Sequence, residues 1–301
     1  MEKDDGLVDE KFRIRHIPTL LKDTYKAWMA DDPYRLSAII AYYAILSLPG
    51  LLVIIINLVG SFWGYEIVQG QLTEEISMAL GRDAAEWIRE MMMDTQNENK
   101  NLIATIIGIA TLVFGATGVF YHLQISLNQV WELTTGKAMT IIQMVKKRIL
   151  SFAFILAIGF LLLVSFIITT LISTLTNYIK SFFPDIVVYI AFTMDFIISV
   201  GIITILFALI FKYLPDVIIK WKSVWTGAFI TALLFVLGKM ILGFYFTQAD
   251  PGSTYGAAGT IVLILLWVSY SCLILFFGAE FTWVYSKRYG IEIRPSYKEL
   301  E

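Results

Sequence analysis

Three ionisable residues, Asp195, Lys239 and Glu280, stand inside long apolar runs of the chain. Glu280 arrives near the end of GAAGTIVLILLWVSYSCLILFFGAEF, residues 256–281, a stretch otherwise almost wholly apolar. A charge in such a run costs a few kcal/mol or more if the run crosses a bilayer, and it normally faces the protein interior or a water-filled space. Two roles are open to residues of this kind: a station on a solute path, or a buried structural anchor. Lysine suits an anion, because it offers three donors on a long flexible stem. Three weaker polar features accompany the charges. Ser269 lies on the same helical stripe as Glu280, with Tyr270 and Cys272 flanking it, Tyr43 sits in the first apolar run, and Pro49-Gly50 interrupts that run near its middle. A break there frees backbone groups that can line a path in a transporter, and it is also tolerated as a plain kink. Asp195, Lys239, Glu280, Ser269, Tyr43 and Pro49 are therefore the candidate substrate-binding residues.

The elements that must position these residues are membrane helices. Of the 301 residues, 57% are hydrophobic and only 16% charged, whereas soluble domains carry about 25% charged residues. Six segments reach the roughly 20 apolar residues a spanning helix needs: 38–60, 102–121, 149–172, 186–211, 224–246 and 258–285. The N-terminal arm and alternate connections hold eighteen Lys and Arg, against four in the others. That bias places both termini in the cytoplasm. The fold class expected is all-α, a polytopic membrane protein: 1–37 a cytoplasmic arm, 38–285 a six-helix transmembrane domain, 286–301 a cytoplasmic tail.

Within the arm, Leu21, Tyr25, Trp28 and Met29 recur at helical spacing beside Lys22 and Lys26, the pattern of an amphipathic helix on the inner membrane face. Asp32 followed by Pro33 reads as an N-cap and first-turn pair starting a new helix. The outer segment 61–101 carries eight acidic residues and an apolar face through Ala84, Trp87, Ile88, Met91 and Met92, so a short outer helix is expected there. Small residues at Ala104, Gly108, Thr111, Gly115 and Gly118 mark the second span for close helix packing.

Depth follows from this topology at about 1.5 Å per residue. Asp195 and Lys239 both fall about 10–13 Å below the outer boundary and are natural partners, while Glu280 lies about 8 Å from the inner one. Lys239 projects from a face it shares with Ala228, Ala232 and Gly243. The partners open to Glu280 are Arg35, Arg148, Lys212 or backbone groups freed near Pro49. His16 and His122 read as interfacial residues.

Several function classes are disfavoured. A net charge of −2 argues against a nucleic-acid partner. One cysteine, Cys272, provides neither a disulfide nor a cysteine metal site. No cofactor, metal or catalytic set is expected, since acidic residues in the cytoplasmic connections are scattered and both histidines border lipid. Membrane lipids, and an anionic or amphipathic solute, are the expected partners.

The segments DPYRLSAIIAYYAILSLPGLL, WKSVWTGAFITALLFVLGKMILGFYF and YGAAGTIVLILLWVSYSCLILFFGAEFTWVY resemble the YihY/virulence factor BrkB family of bacterial inner-membrane proteins. The resemblance runs from about residue 17 to 290 and implies a six-helix inner-membrane protein, often proposed as a transporter, with Tyr42, Tyr43, Gly227, Lys239, Tyr255, Gly256, Gly259 and Glu280 on motif positions. It also brings an old label, ribonuclease BN, widely regarded as a misannotation, and the charge and residue pattern above argue against it. Gly50 and Trp283 depart from the family pattern: a bulky apolar residue usually follows Pro49, and a basic residue is common where Trp283 stands. A transporter or exporter is the leading expectation, and a non-transporting membrane scaffold is the alternative.

Overall fold

The computed structural model describes residues 14–47, 102–133, 184–249, 259–291 and 293–295, together with 70, 73–74, 77, 85–86 and 89–90 of the outer segment. The described chain is helical almost throughout. A 3-10 turn (Ile14–His16) leads into α1 (Ile17–Ala30); α2 occupies 33–47, α3 Leu102–Val130, α4 Pro184–Tyr213, α5 Trp221–Ala249 and α6 Gly259–Arg288. The described residues between 70 and 90 are helical too. Three stretches are long and apolar enough to cross a membrane: Phe196–Tyr213 in α4, Trp221–Tyr245 in α5 and Ile261–Arg288 in α6. They coincide with the fourth, fifth and sixth predicted spans. The predicted third span and the break at Pro49 lie outside the described residues.

The chain divides into two compact units. The first contains residues 1–31, 127–234 and 275–301. Here α5 and α6 cross through a reciprocal pair of notches. The Thr231 hydroxyl donates to the Gly227 carbonyl one turn back (2.7 Å) and fills the space a Cβ would need at Gly278. The Thr282 hydroxyl donates to the Gly278 carbonyl (2.8 Å) and fills the corresponding space at Gly227. Each threonine thus satisfies its hydroxyl within its own helix and presents the remainder to a glycine on the other, the small-residue solution to helix packing without a hydrophobic driving force.

Alongside α6 runs α1. Leu20 packs with Phe281 and Tyr285, Trp28 meets Phe277 edge to face, and the His16 ring accepts or donates a 2.9 Å hydrogen bond with the Tyr289 hydroxyl. Partner numbers fall as α1 residue numbers rise, so the two helices are antiparallel. α1 packs through Leu20, Thr24 and Trp28, and the predicted apolar stripe of Leu21, Tyr25 and Met29 stays exposed with Ile17.

The helix ends follow backbone chemistry. α3 stops in a Schellman motif, with Leu133 N–H donating to Asn128 O (3.0 Å) and Glu132 N–H to Gln129 O (2.9 Å). Glu132 therefore takes φ 52°, a left-handed position usually given to glycine. α6 ends the same way with Gly290 at φ 62°. Asp32 also adopts φ 52°; α2 starts at Pro33 as expected, with Leu36 N–H donating to Asp32 O (3.3 Å), but the Asp32 carboxylate accepts from Arg35 Nε (3.1 Å) and caps no backbone N–H among the described residues. The tail departs from the all-helical expectation: Val217–Ile218 (β1) pairs antiparallel with Arg294–Pro295 (β2). A two-residue apolar step between helices leaves backbone donors and acceptors that this pairing satisfies. The same connection is pinned by Asn128, whose amide donates to Asp216 (3.0 Å) and accepts from its N–H (2.9 Å).

The second unit holds residues 32–126 and 235–274. Here α2 lies against α3 at two glycines of the predicted small-residue stripe, since a Cβ at Gly115 would collide with Ser47 and one at Gly118 with the Tyr43 ring. Tyr43 stacks on His122, ring centroids 4.9 Å apart. α5 and α6 meet again where Tyr270 lies over Gly238 and Phe235 meets Trp267 edge to face.

Candidate functional site

Glu280 owes its position to the notch described above. Gly278 and Thr282 press α6 against α5, and Glu280, two residues from each, points about 200° round the helix from either. It therefore faces the other neighbours of α6, the end of α1 and the end of α3. The carboxyl is 2% exposed, and its Oε2 has no hydrogen-bond partner among the described residues.

What meets it there is a second carboxyl. The side chain of Asp31, the residue that closes α1, lies within reach of the Glu280 carboxyl. Gln129 steadies Asp31, its Nε2 donating to the Asp31 carbonyl (3.3 Å) while the amide also bonds the carboxyl. Trp131 locks the same level of α6: fully buried, it donates from Nε1 to Ala279 O at 2.9 Å. Glu132 and Lys287 complete the charge set as an exposed pair at 3.0 Å. Lys287 also lies 4.6 Å over the Trp283 ring. The departure at Trp283 is thereby accounted for: the positive charge near Glu280 comes from one turn further along α6 and rests on the tryptophan face.

Burial pushes the Asp31 carboxyl above its ordinary value, and the charge of Glu132 adds to this, while the hydrogen bonds to Gln129 and Glu280 oppose it. Among the described residues no group of three or more His, Cys, Asp or Glu is arranged to hold a metal ion. What the arrangement can do is take up and release a proton, and switch the charge at the contact of α1 with α6.

The other predicted site residues are distributed as follows. Lys239 is exposed on α5 in the second unit, where Ser269 and Tyr43 are half-buried. Asp195 lies in α4, in the first unit; its side chain, and Pro49, are outside the described residues. Of the partners expected for Glu280, Arg148 and the backbone near Pro49 lie outside the described residues, and Lys212 and Arg35 are engaged elsewhere. Lys212 donates to Ile219 O (2.6 Å) and sits over Trp221, and Arg35 pairs with Asp32 (3.1 Å). Both cations are taken by groups nearby in sequence, and a carboxyl holds the place expected for a cation. Asp31, Gln129, Trp131, Glu132 and Lys287 escaped the sequence reading. The one signal was the Asp31-Asp32 doublet, which a single N-cap does not require.

The family model for virulence factor BrkB matches residues 24–299. The chain is 26% identical over 219 residues to a UPF0761 membrane protein of Glaesserella parasuis serovar 5, covering 72% of this chain and 73% of that protein. It is 25% identical over 269 residues to a UPF0761 membrane protein of Haemophilus influenzae, covering 85% and 91%, and 23% identical over 254 residues to one of Pseudoalteromonas translucida, covering 84% and 81%. No solved structure matches. With a match over nearly its whole length and long apolar helices throughout the described chain, this is a membrane protein that belongs to the virulence factor BrkB family.

Proposed function

We propose that the protein is a carrier that moves an anionic, lipid-like solute across the bacterial inner membrane, with six spans, both termini in the cytoplasm and residues 61–101 outside. The observation that carries this reading is Lys239. Its side chain stands exposed in the middle of an apolar stretch long enough to cross a membrane, among exposed Leu237, Met240, Ile241 and Phe244, and it makes no ion pair with any described residue. An ammonium on an apolar, membrane-facing surface is costly unless an anion accompanies it. An amphiphile meets both demands, its head group taking Nζ and its chains lying along the flanking side chains. The buried carboxyl pair of Asp31 and Glu280 supports the same reading, because ionisable groups inside membrane segments mark solute or proton paths. The relatives are named only as membrane proteins, and no reaction is part of this reading.

Purified protein in liposomes is expected to speed movement of a fluorescent anionic phospholipid between leaflets over protein-free liposomes. Lys239→Ala is expected to slow that movement several-fold without lowering folded yield. A parent protein that moves no lipid, or a variant as fast as the parent, overturns the carrier reading and leaves a membrane scaffold in its place.

A further inference from the structure

The contact of α1 with α6 buries a charge problem that a proton solves. The carboxyls of Asp31 and Glu280 lie within reach of each other, and the Oε2 of Glu280 is sealed from solvent with no donor among the described residues. With both groups ionised, two negative charges would stand close together and one oxygen would have no donor among the described residues. One proton turns the repulsion into a charge-assisted O–H···O⁻ bond, among the stronger hydrogen bonds.

The surroundings are set to make that proton exchangeable. Glu132, just beyond α3, adds negative charge that favours a proton on Asp31, and it is itself paired with Lys287 of α6 at 3.0 Å. From α3, Gln129 brings a neutral amide donor to Asp31. From α5, the residues packed at this level of α6 are Gly227 and Thr231, which carry no charge. The pair lies where α1 ends and the backbone turns through the left-handed Asp32 into α2, and Asp31 is half-buried where Glu280 is sealed. Glu280 is fixed by the α5–α6 notch and by Trp131.

We propose that Asp31 and Glu280 form a proton-binding site holding one proton between them, and that its release loosens the end of α1 from α6 as one step of the transport cycle. The step is a simple proton transfer. The O–H bond of the pair breaks, the proton passes to water, and the pair goes from one negative charge to two. The link to the transport cycle rests on the carrier reading, and the proton site itself does not.

Infrared difference spectroscopy on the purified protein in nanodiscs, stepped from acidic to alkaline pH, tests the site without any transport assay. The parent is expected to show a protonated-carboxyl C=O band that disappears as the pH rises. Asp31→Asn and Glu280→Gln, each keeping a hydrogen-bonding group of the same shape, are expected to move that titration to lower pH, because the carboxyl left behind no longer faces a second charge, and Glu132→Gln is expected to move it in the same direction by less. A parent without a titrating carboxyl band, or variants that retain it unchanged, overturns the proposal, and the parent titration decides even if a variant fails to fold. Lipid movement in liposomes at the same pH values supplies the second arm. A move of its pH dependence to lower pH in Asp31→Asn supports the coupling, and unchanged dependence overturns the coupling while leaving the proton site. A titrating band in a protein that moves no lipid at any pH upholds the site and sinks the carrier reading alone.

Discussion

Replacing Gly278 with alanine puts a methyl group where Thr231 already stands. The new Cβ would meet the Thr231 hydroxyl at once, with Thr231 Cβ at 2.8 Å and Cγ2 at 3.0 Å. Thr231 has nowhere to go: it is 0% exposed, and its hydroxyl is tied to Gly227 O at 2.7 Å. Nor can the helices part without opening the mirror contact, where a Cβ at Gly227 would lie 3.3 Å from Gly278 O and closer still to the Thr282 hydroxyl. Overpacking of this kind costs about 1–3 kcal/mol. Alanine recovers about 1 kcal/mol as the better helix former, so the net loss is roughly 0–2 kcal/mol. Thr231→Ala removes two of the three obstructing atoms, Oγ1 and Cγ2, and leaves Cβ, so the double variant Gly278→Ala/Thr231→Ala should be more stable than the sum of the singles by about 1–2 kcal/mol. Thermal unfolding of the four proteins in one detergent measures this coupling. Gly201→Ala is the control: nothing lies within 4 Å of a Cβ there, so it should be neutral or stabilise by up to about 1 kcal/mol. Additivity of the notch pair within about 0.5 kcal/mol would refute the interlocked crossing, and with it the account of how Glu280 is aimed.

Glu132→Gly should raise stability by up to about 1 kcal/mol, because relief of the left-handed φ outweighs an exposed ion pair worth less than that; a lower Tm would show that the Lys287 contact matters more than the backbone. Burial holds the Asp31 carboxyl above its ordinary 3.8, so the folded protein binds that proton more tightly than the unfolded chain, and the associated stability is full below 3.8 and lost as pH rises through the folded value. The Tm of Asp31→Asn minus that of the parent should accordingly grow over that rise, and a constant difference would refute the shift. Single cysteines introduced near Asn97 should react with an impermeant reagent in intact cells and those near Lys137 should not; the reverse pattern would invert the proposed topology.

The sequence was most informative where one rule decided the outcome. Apolar runs at 186–211, 224–246 and 258–285 became helices with membrane-crossing stretches because bilayer thickness admits few other readings. Pro33 after Asp32 did start a helix, and Gly115 and Gly118 did seat a neighbouring helix. Glu280 could be singled out because its cost depends only on the run around it. Its partner could not, since pairing depends on tertiary approach. Depth along the axis suggested cations, but Lys212 and Arg35 were claimed by groups a few residues away, Ile219 O and Asp32. Asp31 reached Glu280 because α1 folds back antiparallel along α6, which the helical period of α1 does not reveal. That period also showed Leu21, Tyr25 and Met29 as one face without telling which face would meet protein.

The most direct test of the central claim is head-group discrimination in reconstituted liposomes. Parent and Lys239→Ala are compared on fluorescent phospholipids with identical chains and either an anionic or a zwitterionic head group. A carrier that uses Lys239 to receive an anionic amphiphile moves the anionic lipid several-fold faster than the zwitterionic one, and the variant loses that preference. Equal rates for the two lipids in the parent, or an undiminished preference in Lys239→Ala, would contradict it.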